Sequence, residues 1–348
     1  MLKKLTELNS VSGNEKNVRN FIISYAKNYV DEIITDSIGN IILYKKGNKV
    51  NHNKIMLTSH MDEVGFIVSK IEDNGFLRFK KVGGIDDRIL LAHRVIVGEN
   101  NISGVIGIKA IHLLEKDERK KVVKSDDMYI DIGAKSKEEA LMYVRIGDYI
   151  SFDSEYVEFG NNDMFIKAKA LDDRIGIDIM LSLIKEEIGS DIYFCFTVQE
   201  EVGLRGATVL SNRINPHVAI VLEATTASDV AGTNPYEYTT CLGKGPAISI
   251  MDRASYSNKN LNKFITDIAK KNNIKYQYKK TIFGGNDAGA ISISGDGCET
   301  AVISVPCRYI HSPACVSHKD DIENTRKLIT SILNNISTYN PVTKEVIK

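Results

Sequence analysis

Five apolar runs in this 348-residue chain end in residues that can hold a cation or move a proton. KIMLTSH ends at His60, with Asp62 two residues on. IYFCFTV leads into Gln199-Glu200-Glu201, HVAIVLE ends at Glu223, and TAVISV is followed by His311. The fifth junction, AKALDDRIG, sets Asp172 just ahead of an apolar helical stripe. A nearby carboxylate orients a histidine and makes it more basic, as is usual for metal-ligand imidazoles. Glu223, after Val-Ala-Ile-Val-Leu, would be costly to bury without a cation. Two imidazoles with hard carboxylates suit Zn²⁺, and Co²⁺ or Mn²⁺ in a similar geometry. A single catalytic ion takes about three protein ligands. This richer set suits two ions about 3.5–4 Å apart, bridged by one carboxylate and sharing a water. No HExxH occurs, which removes the helix-borne mononuclear zinc class.

The elements that must position these residues are legible in outline. Short apolar runs (two around SIGN, then KIMLTSH, 192–198, 217–223 and 300–305) read as strands. Helical stripes fall between them: Ile175, Ile179, Met180, Leu183 and Ile184; Leu261, Phe264, Ile265 and Ile268; and Ile322, Leu328, Ile329, Ile332 and Leu333. Ser12-Gly13-Asn14-Glu15 reads as a capping box ahead of a further stripe, Val18 to Ala26. Strands alternating with helices indicate an α/β sheet covered on both faces, with ligand sites at the carboxyl ends of its strands. Adjacent strand residues point to opposite faces, so Glu200 and Glu201 reach one crevice only if the chain turns there. Residues 70–162 differ, with short strand-like runs broken by Gly, Asn and Asp, and read as an inserted β-rich domain. The expected division is 1–69 with 163–348 as the α/β domain, and 70–162 as the insertion.

Composition narrows the class. Forty-five basic and 45 acidic residues cancel, so the totals carry no footprint of a nucleic-acid binder. No stretch approaches the ~20 apolar residues of a membrane span, and the N-terminus lacks a signal-peptide core. Five cysteines without a CxxC pair favour a reducing cytoplasm.

The strings HMDEVGF, ALDDRIG, QEEVGLRGA, LGKGPAISI, GGNDAGAI and VISVPCRYIHSP, in that order from residue 60 to 313, resemble the tetrahedral dinuclear metallo-aminopeptidases. Some members of that family are named glutamyl or deblocking aminopeptidases, and some endoglucanases. The resemblance implies a zinc-peptidase-like mixed sheet flanked by helices, with an inserted β-rich, barrel-like domain that makes dimer contacts. It implies peptide substrates, two divalent ions per subunit (Zn²⁺ or Co²⁺, with Mn²⁺ possible), and dimers assembling into a dodecamer. Asp172 takes the place of the bridging carboxylate, before a cis peptide bond to Asp173. His60 and Glu223 complete one metal site, and Glu201 and His311 the other. Glu200 matches the general base and Asp62 the acid that hydrogen-bonds His60. The chain departs from the family at Glu223, where Asp is more usual, and at Asn286, where Thr is common.

Other features weigh as structural. Asp86-Asp87-Arg88 repeats the letters DDRI inside the inserted block, away from other ligand candidates, and reads as a turn. His52, His93, His112, His217 and His318 are not expected to bind metal, and Cys307 is not expected to be a nucleophile. Gly284-Gly285 and LGKGP lack the P-loop form and read as tight turns near the site. Two rivals remain at this level: a glycoside hydrolase using two carboxylates, and a non-catalytic, metal-stabilised peptide-binding assembly.

Overall fold

A computed structural model describes residues 1–48 and 53–342; His52 lies outside them. Seventeen strands are described. In the larger body they are β1 (Glu32–Thr35), β2 (Ile41–Lys45) and β3 (Ile55–His60). An inserted barrel follows, with β4 (Gly65–Ile71), β5 (Leu77–Val82), β6 (Arg94–Val97), β7 (Ile102–Gly107), β8 (Tyr129–Asp131) and β9 (Tyr149–Phe152). The chain then returns through β10 (Val157–Phe159), β11 (Phe165–Ala168), β12 (Ile192–Thr197), β13 (Val218–Thr226), β14 (Ala247–Ile248), β15 (Gln277–Tyr278), β16 (Glu299–Arg308) and β17 (Cys315–His318).

The main sheet is mixed, with the order β1-β2-β12-β3-β13-β16-β17-β11-β10 and β14 and β15 joined at β16. Its centre, β12-β3-β13-β16, is parallel. β17 runs antiparallel to both β16 and β11, so β11 points the same way as the central four. Their carboxyl ends therefore share one edge of the sheet.

Strand periodicity explains the two buried faces. Ile41, Leu43, Ile55, Leu57, Phe194 and Phe196 pack with helices α1 (Leu2–Glu7), α2 (Lys16–Ala26) and α4 (Leu171–Leu183). The alternate residues Ile42, Met56 and Cys195 pack against α5 (Arg205–Ile214) and α7 (Ala288–Ser292). Two further helices, α6 (Lys259–Lys271) and α8 (Lys319–Asn335), cover the first face, and the short α3 (Lys137–Leu141) belongs to the insertion. The expected two-faced α/β sheet is what forms.

The six barrel strands close in the order β4-β5-β8-β7-β6-β9 around Phe66, Phe79 and Phe152. Phe66 meets the other two rings edge-on, at 5.0 and 5.2 Å between centroids. The barrel begins at Gly65, so position 70 lies within its first strand. β10, expected in the insertion, pairs with β11 in the main sheet.

Ser12 does not cap a helix. α2 begins at Lys16 behind Glu15, and the Ser12 hydroxyl donates to Asp62 at 2.6 Å. A bond to a buried carboxylate is roughly twice as strong as a neutral one, so the acid takes the hydroxyl from the helix end.

Candidate active site

Pairing register levels the candidate ligands. Thr197 stands opposite His60 on the parallel pair β12 and β3, and Thr58 opposite Val221 on β3 and β13. Two residues on in both of the latter strands, His60 and Glu223 fall side by side. Glu223 lies inside β13 rather than at its end, because pairing with β16 continues to Thr226. Beyond β12, Gln199 takes a left-handed φ of 56°. That turn brings Glu200 and Glu201 to the same crevice. Ala170, Tyr309 and His311 are likewise left-handed. Strained non-glycine backbone of this kind gathers at functional sites. The Asp172–Asp173 peptide bond is cis, as the resemblance implies.

Asp172 divides its oxygens between two groups of donors. Its Oδ1 is 3.2 Å from His60 Nε2, which is also 3.6 Å from Glu223 Oε2. Its Oδ2 is 3.3 Å from His311 Nε2, which in turn is 3.3 Å from Glu201 Oε1. Ligand atoms around a tetrahedral cation with bonds of about 2.0–2.1 Å stand about 3.3 Å apart. The Oε1 of Glu223 is buried with no hydrogen-bond partner, which suits an oxygen placed to bind a cation. The residues present therefore fit divalent metal, with Asp172 common to both groups. Asp173 also lies within reach of His60 and Glu223. Its carboxylate is instead occupied by the Ser59 hydroxyl and, at 3.1 Å, by the backbone N–H of Gly176. A Cβ at Gly176 would fall 2.5 Å from that carboxylate, which accounts for the glycine in LDDRIG.

Electrostatics in the protein alone are those of crowded carboxylates. Burial raises Glu201 to about 7 against the pull of His311, and burial also holds Glu200 and Glu223 well above the ordinary range. Burial opposes protonation of His60, yet hydrogen bonds to Asp172 and Asp62 outweigh it and raise the imidazole. Burial likewise opposes protonation of His311, but the hydrogen bond to Asp172 and the Glu201 charge lift it to about 9. Asp172 is lowered, because its bonds to His311 and His60 exceed the effect of burial.

Several supporting contacts are not visible in the sequence. Asp62 accepts from the backbone N–H of Glu200 at 3.0 Å and of Glu201 at 3.1 Å, besides Ser12. His60 Nδ1 lies 3.0 Å from the Asp62 carbonyl and 3.5 Å from its carboxylate, so the closer contact is to the backbone. His311 Nδ1 donates to the carbonyl of Gly84, in the inserted domain, at 2.8 Å. Below the site Glu63 binds Lys169 through both oxygens at 2.8 Å and approaches Arg174 at 3.6 Å, all three buried. Asp86 caps a short turn and pairs with Arg88. His217 and His318 accept backbone N–H groups at Lys54 and Asp320. Cys307 is buried in β16.

The site opens into a cavity of about 290 Å³ lined by Asp172, Glu200, Glu201 and Glu223. Lys279, Thr281, Thr225 and Thr239 line it too, with Gly284 and Gly285 at one side.

A mixed sheet that gathers imidazoles and carboxylates at the ends of its parallel strands, with a barrel inserted after the first of them, defines the metallo-aminopeptidase class of hydrolase. The chain belongs to the M42 glutamyl aminopeptidase family, which it matches over residues 39–328. It is 42% identical to a putative aminopeptidase of Acetivibrio thermocellus, over 96% of this chain and 97% of that one. It is 33% identical to the lysyl aminopeptidase of Pyrococcus furiosus, over 97% and 96%. Among solved structures, an aminopeptidase from Desulfurococcus kamchatkensis superposes with a TM-score of 0.93 at 38% identity, covering 100% of this chain and 98% of that one. The Pyrococcus horikoshii TET1 peptidase, described as assembling into a tetrahedron or a large octahedral shell, gives 0.85 at 37% identity, over 95% and 98%. A Thermotoga maritima protein titled endoglucanase gives 0.80 at 37% identity, over 97% of each chain.

Proposed function

We propose that this aminopeptidase works through two divalent ions, Zn²⁺ or Co²⁺ with Mn²⁺ as a third candidate, and that Glu200 is its general base. The observation that carries the reading is the division of Asp172 between His60 with Glu223 and His311 with Glu201. Bound there, the ions would acidify a shared water and polarise the scissile carbonyl. Glu200 lines the same cavity, and among the described residues its carboxylate accepts no hydrogen bond. It is free to take the water proton and pass it to the leaving amine. Asp62 holds the backbone of Glu200 and Glu201 in place. The test is Glu200→Gln in the metal-loaded enzyme. Hydrolysis of aminoacyl amides should fall about 10²–10⁴-fold while two ions per subunit remain bound. Full activity with both ions retained would overturn the role. The glycoside-hydrolase rival requires cellulose cleavage that survives EDTA, and a non-catalytic assembly requires no turnover of any aminoacyl amide.

The preferred first residue follows from charge. Two divalent ions would neutralise the four cavity carboxylates and leave Lys279 as the uncompensated charge. Among the described residues no carboxylate pairs with its ammonium. Thr225, on the same strand face as Glu223, Thr239 and Thr281 add hydroxyls to that wall. The substrate class is therefore peptides with an acidic N-terminal residue. For assembly, the inserted domain exposes Ile111, Met142 and Ile146 at 69, 70 and 66%. We assign these exposed side chains to dimer contacts on the way to a dodecamer, measurable by light scattering. Five free cysteines suit a cytoplasmic setting.

A further inference from the structure

The cavity beside Lys279 has the volume of a small-ligand site, for which the lower limit is about 300 Å³, and it accommodates about one residue of a peptide. The rest of the substrate has to leave by another route. A second depression, a groove of about 510 Å³, starts on the far side of His311, and Ile310 and His311 line both spaces. One wall of the groove belongs to the inserted domain, with Ile89 and His93. The other belongs to the segment after β16, with Tyr309, Pro313 and Ala314.

The two walls are fixed to each other beside the reaction centre. His311 Nδ1 donates to Gly84 at 2.8 Å, and Gly84 lines the groove. The Ser154 hydroxyl, just past the last barrel strand, donates to the carbonyl of Pro313. Tyr309 and His311 sit at left-handed φ angles of 55° and 59°, a strain that surrounding contacts must offset. The ring of His93 stands edge-on to Phe152 at 6.1 Å, which holds it in the wall. The groove is thus preformed, continuous with the metal ligands, and more apolar than the cavity.

We propose that this groove binds the residue that follows the scissile bond, with a preference for a large apolar side chain such as Leu or Phe. The inserted domain then supplies half of a substrate subsite as well as a surface for assembly. The proposal rests on the reading above, in which ions held around Asp172 would polarise the scissile carbonyl. With the first side chain beside Lys279 and the carbonyl at Asp172, the leaving nitrogen faces past His311, and its own side chain enters between Ile89 and Pro313.

The experiment uses the metal-loaded full chain and one first residue, alanine, so that Lys279 plays no part. Values of kcat/KM are measured for alanyl amide, Ala-Gly, Ala-Leu and Ala-Phe in the wild type, Ile89→Ser and Ala314→Asp. The expected result is a gain of about tenfold or more from Ala-Gly to Ala-Phe in the wild type. In both variants the ratio of Ala-Phe to alanyl amide should collapse. The proposal is overturned if that ratio stays at its wild-type value. It is also overturned if amide and dipeptides fall together with a change in solution mass, since the groove would then be a contact between copies. Wild-type enzyme that binds two ions but cleaves not even the amide would instead refute the catalytic reading, and the groove assignment with it.

Discussion

Reversing the charge at Lys279 is expected to invert the choice of N-terminal residue. Lys279 directly follows β15 and is half-buried in the cavity wall. Its backbone N–H donates to Ile248 at 3.1 Å, so a side-chain change leaves the wall in place. Two unit charges about 6 Å apart at an effective dielectric of about 40, between bulk water and a protein surface, interact by about 1.4 kcal/mol. That energy corresponds to a factor of about ten in kcat/KM. Lys279→Ala should therefore lower hydrolysis of glutamyl amide about tenfold. Lys279→Glu, which replaces attraction by repulsion, should lower it about 100-fold and raise lysyl amide by a similar factor. Alanyl amide should hold its wild-type value in both variants. The glutamyl preference should also shrink as salt shortens the screening length from about 10 Å at 0.1 M to about 3 Å at 1 M. The assay is kcat/KM for the three amides at both ionic strengths with saturating metal. A glutamyl-to-lysyl ratio that stays within about twofold of wild type in Lys279→Glu, with alanyl hydrolysis intact, would refute the charge reasoning.

Glu63→Gln strands Lys169 and Arg174 in the interior without a counter-ion; unfolding in urea should show a loss of about 3–5 kcal/mol. Adding Lys169→Met should recover part of it, and no recovery would argue against a charge effect. Asp62→Asn turns one of two accepting oxygens into a donor, whereas the carboxylate accepts from Ser12 and Glu201 through one oxygen and from Glu200 through the other. Competition with a chelating dye should show metal affinity weakened about 10–100-fold. Asp321, buried while accepting from Gly243 and Gly245, is raised by that burial to about 6. A carboxyl raised on folding is harmless below its unfolded value and penalises the fold as pH climbs to its folded value. Stability should therefore drop by up to about 3 kcal/mol between pH 4 and 6 from this group. Asp321→Asn should flatten that part of the urea-midpoint profile, and an unchanged slope would remove Asp321 as its source.

The sheet and the candidate ligands at its edge were legible because both obey short-range rules. A buried parallel strand must be an apolar run, and a polar residue capable of ligation at its end is conspicuous against that run. His60, Asp172, Glu200, Glu201, Glu223 and His311 were visible on those grounds, and the structure brings them to one crevice. What escaped depends on pairing across long stretches of chain. Glu63, Lys169 and Arg174 look like ordinary charges in sequence, and only the fold buries them together. Ser12 satisfied a local capping pattern, while a carboxylate 50 residues away had the stronger claim on its hydroxyl. Where the insertion begins is hidden in the sequence for a similar reason. β4 carries the apolar residues of a core strand, and its membership is decided by closure onto β9, far along the chain.

The two DDRI strings show how little four letters determine. At Asp172 the string follows a left-handed Ala170, and its partners His60 and His311 arrive from the end of β3 and from the segment after β16. At Asp86 the same letters close a turn in which the aspartate's nearest cation is its own Arg88. Yet the second copy is not remote from the chemistry. The Gly83-Gly84 pair ahead of it hands a carbonyl to His311 across 227 residues of sequence. A Cβ at Gly83 would fall 2.8 Å from Val64 and 3.4 Å from Glu201, so the turn can approach the ligands only without one. The insertion therefore reaches the active site through backbone rather than through a charged side chain. A search for acids and imidazoles cannot see a contribution of that kind.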